Sequence, residues 1–104
     1  MRKGVFDVTL WKKEGKRYVQ WDKASRDGWI HGDYATHQIA RSRWLVTHLP
    51  SGLTCGEKGV TQAEAKAAIK ILNDAAVKPF YLDKEKRFAP TPEFLALCQE
   101  LKLV

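Results

Sequence analysis

Three histidines and the acids near them are the side chains of this chain best suited to proton transfer or metal binding. His31-Gly-Asp33, His37 and His48 lie within eighteen residues of one another, and Cys55 follows on the next segment. Brought together, they would make a small metal-dependent hydrolase, with imidazoles as ligands or bases and Asp33 as partner. Zinc needs three or four such groups in tetrahedral array, and the short paired spacings that announce one are absent. Asp22, Asp27 and Asp33 fall in turn-like surroundings, where Asp commonly bonds its own backbone. Ser51, in Pro-Ser-Gly, reads as a turn residue because no Gly-x-Ser-x-Gly frame surrounds it. Gly52, Gly56 and Gly59 precede a helix but match no nucleotide-binding pattern, so no cofactor is expected. The expectation is a protein that is not an enzyme.

A different chemistry is better supplied. Trp11, Lys12, Lys13, Lys16, Arg17 and Tyr18 interleave cations with aromatic rings, and Arg41, Arg43 and Trp44 form a second such group. Lys and Arg follow phosphates while aromatic planes stack on unpaired bases. A two-stranded ribbon also fits the DNA major groove. Trp21 and Trp44 read instead as core. The candidate binding residues are therefore Trp11, Lys12, Lys13, Lys16, Arg17, Tyr18, Arg41 and Arg43.

Charge supports an anionic partner. The formal net charge is +6, and residues 1–58 hold 11 Lys or Arg against 6 Asp or Glu, while residues 59–104 hold 7 against 6. The excess thus lies on the strand-forming half. It favours nucleic acid, DNA ahead of RNA, through phosphate attraction. An acidic protein surface would meet the same residues, which makes a protein-binding inhibitor or adaptor the alternative, since Trp, Tyr and Arg dominate interface hot spots.

The elements that must hold these groups fit one domain over residues 1–104. Four Trp, four Phe and three Tyr give it apolar surface to bury. The expected class is α+β: an antiparallel sheet of four to five strands, built on two hairpins and packed by one main helix and a C-terminal helix. Val5–Lys13 and Lys16–Trp21 flank Glu14-Gly15 as the first hairpin. A two-residue turn there pairs Leu10 with Val19, Val8 with Trp21 and Trp11 with Tyr18. Ala24–Gly28 reads as a turn, Trp29-Ile30-His31 as the start of another strand, and Gly32–Ala40 as a third strand or a long ordered loop. Arg43–His48 and Leu53–Cys55 make the second hairpin, with Pro50 and Gly52 suited to its turn.

The helices carry clear start signals. Thr61 and Glu64 form a capping box before a helix over 61–76, with Ala65, Ala68, Ile69, Leu72 and Ala75 on one stripe and Lys66, Lys70 and Asn73 in water. Thr91 with Pro92 opens a second helix running to about Leu103. Val77–Pro90 reads as a connector lying against the body. Cys55 and Cys98 read as reduced, buried thiols of a cytoplasmic protein. No stretch approaches the ~20 apolar residues of a membrane span. Unpaired edges in so small a sheet make a homodimer an expectation as well.

The segment from Arg43 to Asn73 resembles the end of the three-strand-plus-helix DNA-binding modules of phage-type integrases. Trp44, Val46, Pro50, Gly52, Gly56, Thr61, Glu64 and Ala65 carry the resemblance, which covers under a third of the chain. It implies DNA binding by the sheet face in a phage or mobile-element setting, and no catalytic residue. The chain departs from that pattern in the long Asp22–Ser42 segment, and no recombinase domain follows.

Overall fold

A computed structural model describes residues 1–15, 17–56, 58–84 and 88–104; the side chains of residues 11–14 and 17–21 also lie outside the description. Five strands run as an antiparallel meander in chain order: β1 (Arg2–Glu14), β2 (Arg17–His31), β3 (Tyr34–Ala40), β4 (Arg43–His48) and β5 (Leu53–Thr54). Helix α1 (Gln62–Ala75) follows, then a separate two-stranded hairpin of β6 (Phe80–Leu82) and β7 (Phe88–Pro90), then α2 (Pro92–Glu100). The α+β class and the sheet-plus-two-helices plan are those expected.

Strand alternation gives the sheet two apolar faces. Neighbours Tyr34 and Ala35 show it, for Tyr34 belongs to one buried cluster and Ala35 to the other. On the first face Tyr34 and Val46, with half-buried Trp29 and Trp44, meet Ala65, Ala68, Ile69 and Leu72 of α1. The alanines let the helix approach closely. Phe94 and Cys98 of α2 and the buried Leu103 continue this core. The opposite face gathers Phe6, Val8, Ile30 and Ala35, with Leu10, Ala24 and Leu49 at its margin.

That second face is buried because the sheet curls. Thr9 N–H donates to Gly52 O at 2.9 Å, which brings the edge strand β1 onto the β4–β5 turn. Gly52 has φ of 72°, and a Cβ there would stand 2.3 Å from Thr9 Oγ1. Only glycine combines that backbone with that contact. Gly28 serves the same curvature at the β2–β3 step, where a Cβ would stand 2.0 Å from Thr36 O. Polar groups are enclosed with the apolar ones. Thr36 Oγ1 donates to Leu45 O at 2.7 Å, whereas His37 Nδ1 and Thr47 Oγ1 are buried without a partner among the described residues.

The helix starts follow their sequence signals. Thr61 accepts from Glu64 N at 3.2 Å and Glu64 Oε1 accepts from Thr61 N at 3.1 Å, a complete capping box. Thr91 caps α2, accepting from Phe94 N at 3.3 Å, with Pro92 in its first turn. The β4–β5 hairpin also forms where expected, with β5 limited to Leu53–Thr54.

Several expectations need correction. Ala24–Gly28 is not a turn and Trp29–His31 does not begin a strand, since both lie inside β2. Pairing with β1 over the whole length of β2 outweighs the local turn preference of Ser25, Asp27 and Gly28. Gly32–Ala40, by contrast, holds the third strand, one of its two expected forms, as β3 after a short turn. In the first hairpin Glu14 pairs with Arg17, so the turn falls one residue later than expected, and Gly15 takes the positive φ of 62°. Trp11 then stands opposite Gln20, Lys13 opposite Tyr18, and Val8 opposite Ala24 after a register shift at Leu10/Trp11. Residues 77–90 are not a plain connector: Phe80 pairs with Pro90 and Leu82 with Phe88. Helix α2 stops at Glu100, and Lys102 turns the chain with φ of 63° so that Leu103 returns to the core. Ala75 is exposed, and Asn73 is not simply in water, because its Oδ1 accepts from Asp33 N at 3.1 Å.

Candidate nucleic-acid interface

The cation-rich stretch of the first hairpin occupies the far end of a long ribbon. Thr9 is tied to Gly52. Beyond it residues 10–14 and 17–22 pair only with one another in the described ladders. Five further residues of β1 extend the ribbon by about 17 Å at strand rise. Trp11, Lys12, Lys13, Arg17 and Tyr18 have backbone positions in β1 and β2, while their side chains, and Lys16 altogether, lie outside the described residues.

Arg41 and Arg43 are placed more fully. Ala40 pairs with Arg43 after a register shift past Gln38, so Arg41 and Ser42 form a tight turn in which Ser42 takes φ of 58°. Both arginines are exposed. Trp44, expected in the core, packs half-buried against it and bridges Val60 through backbone hydrogen bonds of 2.8 and 3.1 Å.

The two basic groups stand on different elements, the first hairpin and the β3–β4 turn. The ribbon is anchored at Gly52, whose N–H donates to His48 O, whereas Arg43 starts β4 five residues from His48. That separation along β4 is about 17 Å. Sequence reasoning also missed an aromatic–cation contact: Lys66 Nζ lies 3.7 Å from the Trp29 ring centre and Lys3 Nζ 5.6 Å. No short spacing could have signalled it, because the three residues come from β1, β2 and α1.

No family model, curated protein or solved structure matches the chain. Its chemistry is read from its own residues alone.

The hydrolase candidates disperse. His37 is enclosed within the curl, edge-on to Phe6 at 5.9 Å between ring centres. Burial first, and then the Arg26 charge, lowers its pKa below the usual imidazole value. His48 sits on the other side, between Tyr34 at 5.2 Å and Phe80 at 5.9 Å. Its Nδ1 lies 2.8 Å from Ser51 Oγ, which also accepts from Leu53 N at 3.2 Å. Burial lowers the His48 pKa, and the Asp33 carboxylate opposes that shift. His48, Asp33, Tyr34, Asn73 and Lys78 border a cleft of about 250 Å³. This Ser–His contact closes a turn, because the serine oxygen is occupied by the strand backbone. No group of three His, Cys, Asp or Glu suited to a metal occurs among the described residues.

The thiols are buried and unpaired. Cys55 lies in the core and its pKa is raised well beyond the usual range, first by burial and then by Cys98. Burial pushes Cys98 up to about 11. Neither is primed as a nucleophile, which requires a lowered pKa. No described helix is long and apolar enough to cross a membrane.

Proposed function

We propose that this protein is a non-enzymatic nucleic-acid-binding accessory protein of the kind that phages and mobile elements encode, with DNA as the principal partner. One observation carries the reading: β1 and β2 form a two-stranded ribbon that continues beyond its last backbone tie to the body at Thr9. Lys12, Lys13 and Arg17 have their backbone on that length, with Trp11 and Tyr18 among them, and Lys16 lies between them in the sequence. An antiparallel ribbon fits a major groove about 12 Å wide, with its cations on the flanking phosphates. The ribbon, not the sheet face opposite α1, is assigned this role because Phe6, Val8, Ile30 and Ala35 already fill that face.

The test is fluorescence anisotropy of labelled duplex DNA, single-stranded DNA and RNA, with the intact protein and with Lys12, Lys13, Lys16 and Arg17 each changed to Glu. The reading expects binding to DNA that the charge reversals remove. Equal binding by the reversed variant would sink it.

A second reading, a protein-binding inhibitor or adaptor, is favoured by the β6–β7 hairpin. Its cross-strand pair Leu82 and Phe88 stays 59% and 53% exposed, beside an exposed Tyr81. Exposed apolar side chains gathered on one small hairpin suit a protein partner. Loss of a nuclease-resistant protein complex on Leu82→Ser and Phe88→Ser substitution would support this second reading.

A further inference from the structure

The Arg43 end of β4 gathers cations from separate parts of the chain. Arg41 and Arg43 flank the tight β3–β4 turn. The Arg43 side chain runs along Gly59, where a built Cβ would stand 2.8 Å from its Nε and 2.9 Å from its Cβ. That contact sets the arginine beside Lys58, the residue preceding Gly59. Lys58 N–H in turn donates to Leu103 O at 3.2 Å, which draws in Lys102. Glu64 senses both ammonium groups. Its carboxyl is held below the usual value first by the Thr61 backbone hydrogen bond, with Lys102 and Lys58 adding to the effect. Arg43, Lys58 and Lys102 are therefore linked at one end of the molecule, with Arg41 two residues from Arg43, and all four are exposed. Glu64, whose Oε1 accepts from Thr61 N, faces these cations, and Glu100 ends α2 two residues before Lys102.

The placement of this cluster matters as much as its sign. The ribbon is a separate element, tied to the body at the β4–β5 turn through Thr9 and Gly52. A surface fixed to the body suits a stiff ligand that can meet it and the ribbon at once, whereas a flexible single strand gains little from it. Contacts of this kind set register on the duplex and carry no sequence information.

We propose that Arg41, Arg43, Lys58 and Lys102 form a second phosphate-contact surface that holds the same double-stranded DNA as the ribbon. The proposal deepens the ribbon reading and rests on it for the identity of the ligand. Lys58 and Lys102 have no counterpart in the sequence-level candidates, because 43 residues separate them and only the fold brings them together.

The test compares the intact protein with a variant carrying Arg41→Gln, Lys58→Gln and Lys102→Asn. Arg43 is kept because its stem packs on Gly59, and Asn suits the positive φ at position 102. Thermal melting establishes that the variant folds. Anisotropy of a labelled duplex and of a labelled single strand is then measured across a salt series. Each lost phosphate contact lowers the log–log salt slope by about 0.9, so the duplex slope falls by about 2–3, with a smaller change on the single strand. An unchanged duplex slope, or an equal loss on the single strand, overturns the proposal. The ribbon variant separates the two claims. If ribbon reversal removes binding while the triple variant binds as the intact protein does, the ribbon reading stands and this surface is refuted. If only the triple variant loses binding, the ribbon reading fails, and with it the proposal that one duplex lies on both surfaces. If the intact protein binds neither nucleic acid, both fall.

Discussion

Replacing Gly52 by alanine tests how the curled sheet is held shut. The residue takes φ of 72°, which costs an L-residue about 1–2 kcal/mol. The new methyl would stand 2.3 Å from Thr9 Oγ1, so one of the two segments must move. The hydrogen bond from Thr9 N to Gly52 O lies at the same contact, and losing it costs about 1 kcal/mol more. Gly52→Ala should thus destabilise the protein by about 2–3 kcal/mol, read as a shift in urea midpoint at unchanged m-value. A Thr9→Ala partner removes the colliding hydroxyl. The double variant should recover the steric part and keep the backbone cost, giving a measurable coupling. Hydrogen exchange at the Thr9 amide should accelerate in Gly52→Ala. A loss under about 0.5 kcal/mol with no coupling to Thr9 would refute the argument, because surface substitutions away from such features fall in that range.

Three other predictions use independent parts of the molecule. Thr61→Ala removes one half of the capping box and should cost about 1 kcal/mol in thermal or urea unfolding, with Thr61→Ser restoring most of it. His37 is neutral and enclosed, and its folded pKa lies below 6.5. The unfolded chain therefore takes up the proton first, so stability is full above about pH 6.5 and declines as pH falls below it. His48 acts in the same direction, and a His37→Gln variant should show a flatter decline between pH 7 and 5 in equilibrium unfolding. Cys55 and Cys98 are buried with raised pKa values, so both should resist a thiol reagent in the native state and react fully in denaturant; fast native labelling would contradict the packing.

The parts of the fold legible in the sequence are those fixed by neighbours. Thr61 and Glu64 meet within one helical turn, Thr91 and Pro92 do the same for α2, and Pro50–Gly52 fall within one hairpin turn. What escaped was decided over longer separations. Ala24–Gly28 has turn-forming residues, yet strand β1 holds them extended because each has a partner some twenty residues earlier. Residues 77–90 contain two breakers, Pro79 and Pro90, and a charged run, and only strand pairing such as that of Leu82 with Phe88 makes a hairpin of them. The candidate site divides in the same way. The ribbon's basic and aromatic residues were visible as a cluster, whereas Lys58 and Lys102 join Arg43 through Gly59 and Leu103, contacts with no sequence period. His37 and His48, eleven residues apart in the sequence, fall on opposite faces of the sheet: His37 faces into the curl and His48 away from it.

If the ribbon is the surface that meets DNA, its own backbone amides must report the contact. A titration of the isotope-labelled protein with duplex DNA, followed through its backbone amide resonances, tests this residue by residue. The prediction is that shifts and broadening concentrate at residues 11–18, with a second group at Arg41, Arg43 and Lys58. Changes confined to the β6–β7 hairpin or to the cleft beside His48 and Asn73, or no change at all, would contradict it.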